Sequence, residues 1–274
     1  MGHSPVDDLR GAAVLAGMIK PSRQFEGVEL FKKKVSMQEV VLVAPSLGEK
    51  ELSFIEGFDG VVVATDSSLH VLREKGIGVD LFFTDLDGKE AILVDTNRDG
   101  VLAVVHAHGD NINRLMSVFP EMSGPVFGTC QVVPPPPLVN FGGYTDGDRA
   151  LSAILESGAR RVYLVGFDFE NPVEKPWLYK RGDNYGGRQD GGERGTPETE
   201  RVEMERGEMG GADVGTAEME IKAGMGGLNA EMSRFLLERK RKKLAWAREI
   251  IFYLMEKHPG RIFFPALEKN QGSE

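Results

Sequence analysis

The sequence has only one cysteine, Cys130, in 274 residues. A single thiol excludes an intramolecular disulfide framework and a metal site built from several cysteines, and it fits a reducing compartment. The chain also lacks an apolar run near the roughly 20 residues that span a membrane, and residues 1–5 lack the basic-then-apolar layout of a secretion signal. From these absences we expect a cytoplasmic protein without a membrane partner.

The sequence also has fewer basic than acidic residues. Against 42 aspartates and glutamates there are 33 lysines and arginines, so the net charge is −9. Such acidity disfavours binding to a nucleic-acid backbone or to anionic lipid. A basic run at 239–243 lies in a stretch with helical spacing of apolar residues, and a solvated helix face explains it better than contact with phosphate or RNA. We therefore expect no nucleic-acid partner.

Two common nucleotide-binding motifs are missing as well. No predicted strand is followed by a complete Gly-x-Gly-x-x-Gly motif, which argues against an ordinary dinucleotide dehydrogenase. No predicted strand leads into a loop that ends in Gly-Lys-Ser/Thr, so the P-loop motif is missing as well. The first predicted strand leads instead into Ala44-Pro45-Ser46-Leu47-Gly48. In this turn, Ser46 is available to contact a phosphate.

The dominant pattern present is a series of short β-branched runs separated by stretches that suit helices. The runs are nearly continuous in apolar character, which is typical of strands covered on both faces. The alternation predicts an α/β fold with a Rossmann-like, mostly parallel sheet and helices on both faces. The predicted strands are 40–43, 61–63, 79–83, 101–105, 161–165 and 261–264, and the predicted helices are 67–75, 111–119, 146–157 and 229–257.

The composition changes after residue 180. Residues 181–227 contain 13 of the 34 glycines and many charges, so this stretch cannot bury enough apolar area to offset the entropy of ordering it. We predict a flexible insertion there. The remaining divisions are an N-terminal helical extension at 1–35, a catalytic α/β domain at 36–180, and a helix and strand at 228–274 that complete this domain.

Acidic side chains follow two of the predicted strands. Asp85 and Asp87 come directly after one strand and are two residues apart, so on an extended chain both carboxylates point the same way. Asp66 occupies the equivalent place after the preceding strand. Oxygen ligands at this edge of an open α/β sheet suit Mg²⁺ held together with substrate phosphates. The alternative that remains open is an acidic surface turn.

A second polar cluster follows the next strand and opens a helix. The segment is His106-Ala107-His108-Gly109-Asp110-Asn111. Histidine or asparagine at a helix N-terminus can donate hydrogen bonds to phosphate oxygens, which favours a nucleotide-binding role. A zinc site built from the two histidines and Asp110 fits less well, because it would leave the other carboxylates unexplained.

A third cluster lies at residues 140–150. Thr145 and Asp148 have the spacing of a capping box for the helix that follows. Asp146 lies in the first turn, where the helix end favours an acid with or without a ligand. Arg149 is then available for a phosphate.

Taken in order, these segments resemble the archaeal 6-hydroxymethyl-7,8-dihydropterin diphosphokinase family, which is related to thiamine pyrophosphokinase in its catalytic fold. The resemblance spans about residues 35–170 and resumes after Leu237. Two features depart from it: Cys130 stands where we expect a hydroxyl residue, and the 181–227 insertion is longer than expected. The segments that carry the resemblance are 44–47, Thr65-Asp66, Thr84-Asp85-Leu86-Asp87-Gly88, 106–111, Gly128-Thr129-Cys130-Gln131, 140–149 and Gly166-Phe167-Asp168-Phe169.

The resemblance implies an enzyme that uses Mg²⁺ to transfer diphosphate from ATP to the hydroxymethyl group of a reduced pterin. AMP would be released, on a pathway to folate-like or methanopterin cofactors. In this interpretation Asp85 and Asp87 are catalytic Mg²⁺ ligands, and Asp66 and Asp146 complete or support the site. The residues placed near the nucleotide or its phosphates are His106, His108, Asp110 and Asn111.

Three other functions stay open at this point. Thiamine pyrophosphokinase would use the same acids with a different acceptor. A glycosyltransferase-like enzyme also places acids beyond the strands of a Rossmann-like sheet, and a nucleotide-binding module without turnover is the non-enzymatic alternative. The sequence leaves open whether the protein forms a homo-oligomer.

Overall fold

Seven parallel strands form a single sheet in the computed structural model, which describes residues 4–171 and 237–265. The strands are β1 (Glu39–Val43), β2 (Val61–Thr65), β3 (Leu81–Thr84), β4 (Leu102–Ala107), β5 (Val126–Cys130), β6 (Arg161–Val165) and β7 (Ile262–Phe263). Their order across the sheet is β5-β4-β3-β2-β1-β6-β7. The register pairs Val40 of β1 with Val61 of β2 on one side and with Val162 of β6 on the other. The predicted Rossmann-like α/β fold is confirmed.

Helices cover both faces of this sheet. They are α1 (Pro5–Met18), α2 (Pro21–Val35), α3 (Glu49–Glu56), α4 (Asp66–Glu74), α5 (Glu90–Arg98), α6 (Ile112–Val118), α7 (Asp146–Glu156) and α8, which is helical over residues 237–257. Helices α1 and α3 to α6 pack on the face that carries Val41, Phe82 and Val105. Helices α2, α7 and α8 pack on the face that carries Val40, Leu81 and Val104. Because neighbouring strand residues point to opposite faces, this double cover explains the continuous apolar runs.

The predicted elements agree with the observed ones within a few residues, apart from three omissions. Strand β5 and the helices α3 and α5 were not predicted. Of the helix predicted at 229–257, the described part is helical from 237. The insertion predicted at 181–227 lies outside the described residues. Within 4–171 and 237–265, no helix is both long and apolar enough to cross a membrane.

Candidate active site

The predicted site residues gather where the parallel strands end. Asp66 is the first residue of α4 and follows β2 directly, while Asp85 and Asp87 follow β3. The chain order reverses at β1, which has β2 on one side and β6 on the other. Open α/β sheets bind ligands in the crevice outside such a reversal. The acids therefore lie one and two strands away from the expected crevice.

Three carboxylates converge at this edge. Asp66, Asp85 and Asp87 each offer an oxygen, and these oxygens all lie within 4.8 Å of one another. Asp66 is buried and the other two are half-buried. Like charges this close repel each other, and a cation between them removes the repulsion. A donor set made only of carboxylate oxygens fits a hard ion such as Mg²⁺. Asp146 lies outside this group of three.

A tight turn brings the two β3 acids together. Leu86 has a φ of 66°, and its N–H donates to Thr84 Oγ1 at 2.8 Å. The N–H of Asp87 donates to Asp85 Oδ1 at 3.3 Å. The acids thus converge because the backbone turns between them, and not because residues two apart on an extended strand share a face. The side chain of Leu86 is fully buried, which stabilises an otherwise unfavourable left-handed conformation.

Gly88 connects this turn to the acid of the neighbouring strand. Its N–H donates to Asp66 Oδ2 at 2.9 Å. A Cβ at this position would lie 2.1 Å from Asp66 Oδ1, so a larger residue has no room without movement of the carboxylate or the turn. Glycine therefore allows Asp66 and the β3 turn to approach this closely, and a larger residue would displace the carboxylate or the turn.

Arg114 of α6 holds the same turn from outside. Its Nε donates to the carbonyl of Leu86 at 2.7 Å, and one guanidinium NH2 group donates to the carbonyl of Gly88 at 3.2 Å. The sequence pattern alone does not single out Arg114. Its position in the helix after the histidine-containing segment was the available signal, but the partners on β3 follow only from the tertiary fold.

The two histidines occupy different environments. His106 is buried at the end of β4, with Nδ1 3.0 Å from Thr129 Oγ1. Burial lowers the pKa of His106 well below its ordinary value, and the nearby Arg149 and His108 lower it further. His106 is therefore a neutral imidazole at neutral pH. His108 faces the acids, with Nε2 3.4 Å from Asp85 Oδ2.

Asn111 braces the loop that carries these histidines. Its amide nitrogen donates to the carbonyls of Asp85 at 2.8 Å and His106 at 2.7 Å, and its side-chain oxygen accepts the N–H of His108 at 3.0 Å. The amide is thus bound to backbone groups of the β3 and β4 ends. Asp110 is exposed beside it, 3.6 Å from Arg239 of α8.

The third cluster forms the start of α7. The carboxylate of Asp148 accepts the N–H of Thr145 at 2.6 Å and that of Tyr144 at 2.7 Å. Asp146 forms an ion pair with the buried Arg149 at 3.0 Å. Within the part of the chain that is described, Nε of Arg149 has no hydrogen-bond partner. The guanidinium is therefore held by Asp146, and among the described residues its buried Nε remains a donor that suits another group.

Two further predicted positions flank the site. Ser46 is half-buried after β1, and its N–H donates to the carbonyl of Gly166 after β6 at 3.0 Å, so it lies at the reversal of strand order. Cys130 is buried at the end of β5. Burial raises the pKa of its thiol, which keeps the thiol protonated at neutral pH.

Comparison with known proteins gives a consistent result. The family model described as "6-hydroxymethylpterin diphosphokinase MptE-like" matches residues 18–174. A protein of Pyrococcus furiosus is 39% identical over 183 residues, which cover 65% of this chain and 77% of that protein. One of Methanothermobacter thermautotrophicus is 40% identical over 122 residues (44% and 51%), and one of Methanocaldococcus jannaschii is 32% identical over 180 residues (61% and 73%). All three are named 6-hydroxymethyl-7,8-dihydropterin pyrophosphokinase.

Proposed function

The chain belongs to the MptE-like family of 6-hydroxymethylpterin diphosphokinases, and we propose that it transfers diphosphate from ATP to 6-hydroxymethyl-7,8-dihydropterin, using Mg²⁺ and releasing AMP. The family membership agrees with the resemblance seen in the sequence. We place the reaction in the cytoplasm, on a route to folate-like or methanopterin cofactors, without a nucleic-acid or membrane partner.

The observation that supports this proposal best is the convergence of Asp66, Asp85 and Asp87. These carboxylates would hold Mg²⁺, which when bound neutralises phosphate charge during phosphoryl-group transfer. The acids follow two adjacent strands of one sheet. The hydrogen bonds from Gly88 to Asp66 and from Arg114 to the carbonyl of Leu86 fix the spacing of the three carboxylates. Such positioning contributes most to this class of reaction, which depends on in-line placement and charge stabilisation more than on a strong base.

The remaining polar residues at the edge are proposed to line the nucleotide. Arg149 carries a positive charge and a buried Nε donor that suits a phosphate oxygen. Asp146, its ion-pair partner, would then support the metal site indirectly by orienting this guanidinium. His106, as a neutral imidazole, would act through hydrogen bonds and not through charge. Ser46, His108, Asp110 and Asn111 complete the proposed nucleotide-binding edge.

An acceptor panel tests the function. The purified protein is incubated with ATP, MgCl2 and either 6-hydroxymethyl-7,8-dihydropterin, thiamine or a sugar acceptor, and AMP and ADP are quantified. We expect AMP with the pterin and little with thiamine. Turnover of thiamine equal to or above that of the pterin would contradict the proposed acceptor, and nucleotide binding without AMP release would indicate a non-catalytic module.

The variants Asp85→Asn and Asp87→Asn test the role of the acids in the same assay. Each keeps the size of the side chain but removes a charge that the metal needs, so we expect AMP formation to fall by about 100-fold or more. Asp99→Asn is the matched control, because Asp99 is an exposed acid that follows α5 and pairs with Arg73. Near wild-type turnover in both test variants at limiting Mg²⁺ would refute the carboxylate mechanism.

A further inference from the structure

Helix α1 has a direct connection to the candidate site, although it precedes nearly all of the region that the family model matches, which begins at residue 18. The connection is Asp8, an acid in the first turn of α1 that is only 8% exposed. A carboxylate so buried needs hydrogen-bond donors to offset the cost of losing water. The structure shows where these donors come from.

Asp8 joins the loops that follow two adjacent strands. Its Oδ1 accepts the N–H of Gly109, in the loop after β4, at 2.9 Å. Its Oδ2 accepts from Nε2 of Gln131, directly after β5, at 2.7 Å. Each carboxylate oxygen thus has a donor from a different strand end, which holds both loops at a fixed distance from α1.

Close backbone packing supports the same contact. A Cβ on Gly11 of α1 would lie 2.4 Å from the carbonyl oxygen of His108, and a Cβ on Gly109 would lie 2.7 Å from the Cβ of Asp7. Both glycines are therefore needed for the helix to lie against the loop at this distance. Helix α1 and the loop that contains His108 and Gly109 form a single packed unit.

This loop in turn contacts the acid group. His108, the residue before Gly109, lies with Nε2 3.4 Å from Asp85 Oδ2. Asn111, two residues after Gly109, donates to the Asp85 carbonyl at 2.8 Å. A displacement of Gly109 therefore moves the two side chains that hold Asp85 in place.

We propose that Asp8 is a positioning residue of the metal site: by holding Gly109 and Gln131, it keeps His108 and Asn111 against Asp85. This inference rests on the proposed function for the identity of the ion. Partners that orient metal ligands commonly change metal affinity by about 10- to 100-fold when they are removed, so the predicted effect is on divalent-ion binding more than on folding.

The first test measures the loop itself and requires no activity. Amide hydrogen exchange is followed by mass spectrometry in metal-free wild type, Asp8→Ala and Asp7→Ala. Asp7→Ala is the matched control, because it removes a neighbouring charge from the same helix turn, and Asp7 is half-buried and paired with Arg10. We expect faster exchange across residues 106–114 in Asp8→Ala only. Equal exchange in wild type and Asp8→Ala, or equal acceleration in Asp7→Ala, would overturn the proposal.

The second test measures divalent-ion affinity below the melting temperature, by titrating Mn²⁺ and following its paramagnetic resonance signal. We expect about a 10-fold weaker affinity in Asp8→Ala and a smaller loss in Asp8→Asn, because an asparagine oxygen can still accept from Gly109. Unchanged affinity alongside a loosened loop would show that Asp8 supports folding alone and would overturn the proposal. Failure of the proposed function would give a different result from failure of this proposal, because wild type and Asp87→Asn would then bind Mn²⁺ equally. The hydrogen-exchange result would still decide whether Asp8 fixes the loop.

Discussion

The titration of His106 has a consequence for stability. Its pKa is lowered in the folded protein, mainly by burial, whereas the pKa of a histidine in an unfolded chain is about 6.5. Below that pH the unfolded state binds a proton that the folded state does not. We therefore expect the contribution of His106 to the free energy of unfolding to be complete above about pH 6.5. As the pH falls below that value, the free energy of unfolding should decrease by up to about 1.4 kcal/mol per pH unit.

Urea unfolding of the metal-free protein at pH 7.5, 6.5 and 5.5 measures this slope. His106→Gln should have a shallower dependence of unfolding free energy on pH, whatever its stability at pH 7.5. His258→Gln controls for the loss of a histidine as such, because it removes a half-buried histidine just after α8, outside the candidate site. Identical slopes for wild type and His106→Gln would contradict a lowered pKa.

At the residue scale, the sequence identified the acids but not how they are held. Asp66, Asp85 and Asp87 could be found because each follows an apolar strand, and parallel strands end at one edge. The contacts of Arg114 and Asp8 could not be found, because their partners lie on distant segments: Arg114 reaches the β3 turn, and Asp8 reaches residues more than 100 positions away. Asn111 is predicted to lie near the nucleotide, and the contacts of its amide with backbone groups are a further feature that the sequence does not reveal.

The turn between β3 and α5 depends on Gly88. In Gly88→Ala the new methyl group would overlap Asp66 Oδ1, and the hydrogen bond from the residue 88 N–H to Asp66 would have to lengthen. Overpacking of this kind typically costs about 1–3 kcal/mol. We expect a loss of unfolding free energy in that range, measured by urea denaturation, together with weaker divalent-ion binding.

Gly78 provides the matched control for this substitution. It lies shortly before β3, its φ is not positive, and no atom of residues 4–171 or 237–265 approaches within 4 Å of its Cβ position. Gly78→Ala should therefore be neutral or slightly stabilising, because alanine reduces the entropy of the unfolded chain. If Gly88→Ala were as stable as Gly78→Ala, the close approach of Gly88 and Asp66 could not be a constraint on the site.

At the scale of elements, the omissions have local causes. Strand β5 contains Gly128 and follows Pro125, so it lacks the β-branched run that marks the other strands. Helix α5 begins Glu90-Ala91-Ile92-Leu93-Val94, a short apolar run whose spacing does not distinguish helix from strand. Neither element is certain without the fold. For α5 the fold decides, because the parallel pairing of β3 with β4 requires a crossover between them.

The whole molecule carries a net charge of −9, and part of that charge is concentrated in the acid group. Any salt screens the general repulsion between surface acids. A divalent ion that binds between Asp66, Asp85 and Asp87 also raises the free energy of unfolding by a specific effect. It binds the folded state, and the unfolded chain has no such arrangement of carboxylates. Comparing MgCl2 with NaCl at equal ionic strength separates the two effects.

We expect MgCl2 to raise the melting temperature above the value in NaCl. At ten times its dissociation constant the ion contributes about 1.4 kcal/mol, which corresponds to roughly 3–6 °C for a chain of this size. Asp87→Asn should lose this difference, yet melt at or above the wild-type temperature in EDTA, because the substitution relieves repulsion within the acid group. Asp99→Asn should keep the full difference, since Asp99 lies outside that group and pairs with Arg73. Equal melting temperatures in the two salts, in wild type as well as in Asp87→Asn, would mean that the three carboxylates tolerate their proximity without a cation and that Mg²⁺ enters the reaction only with ATP.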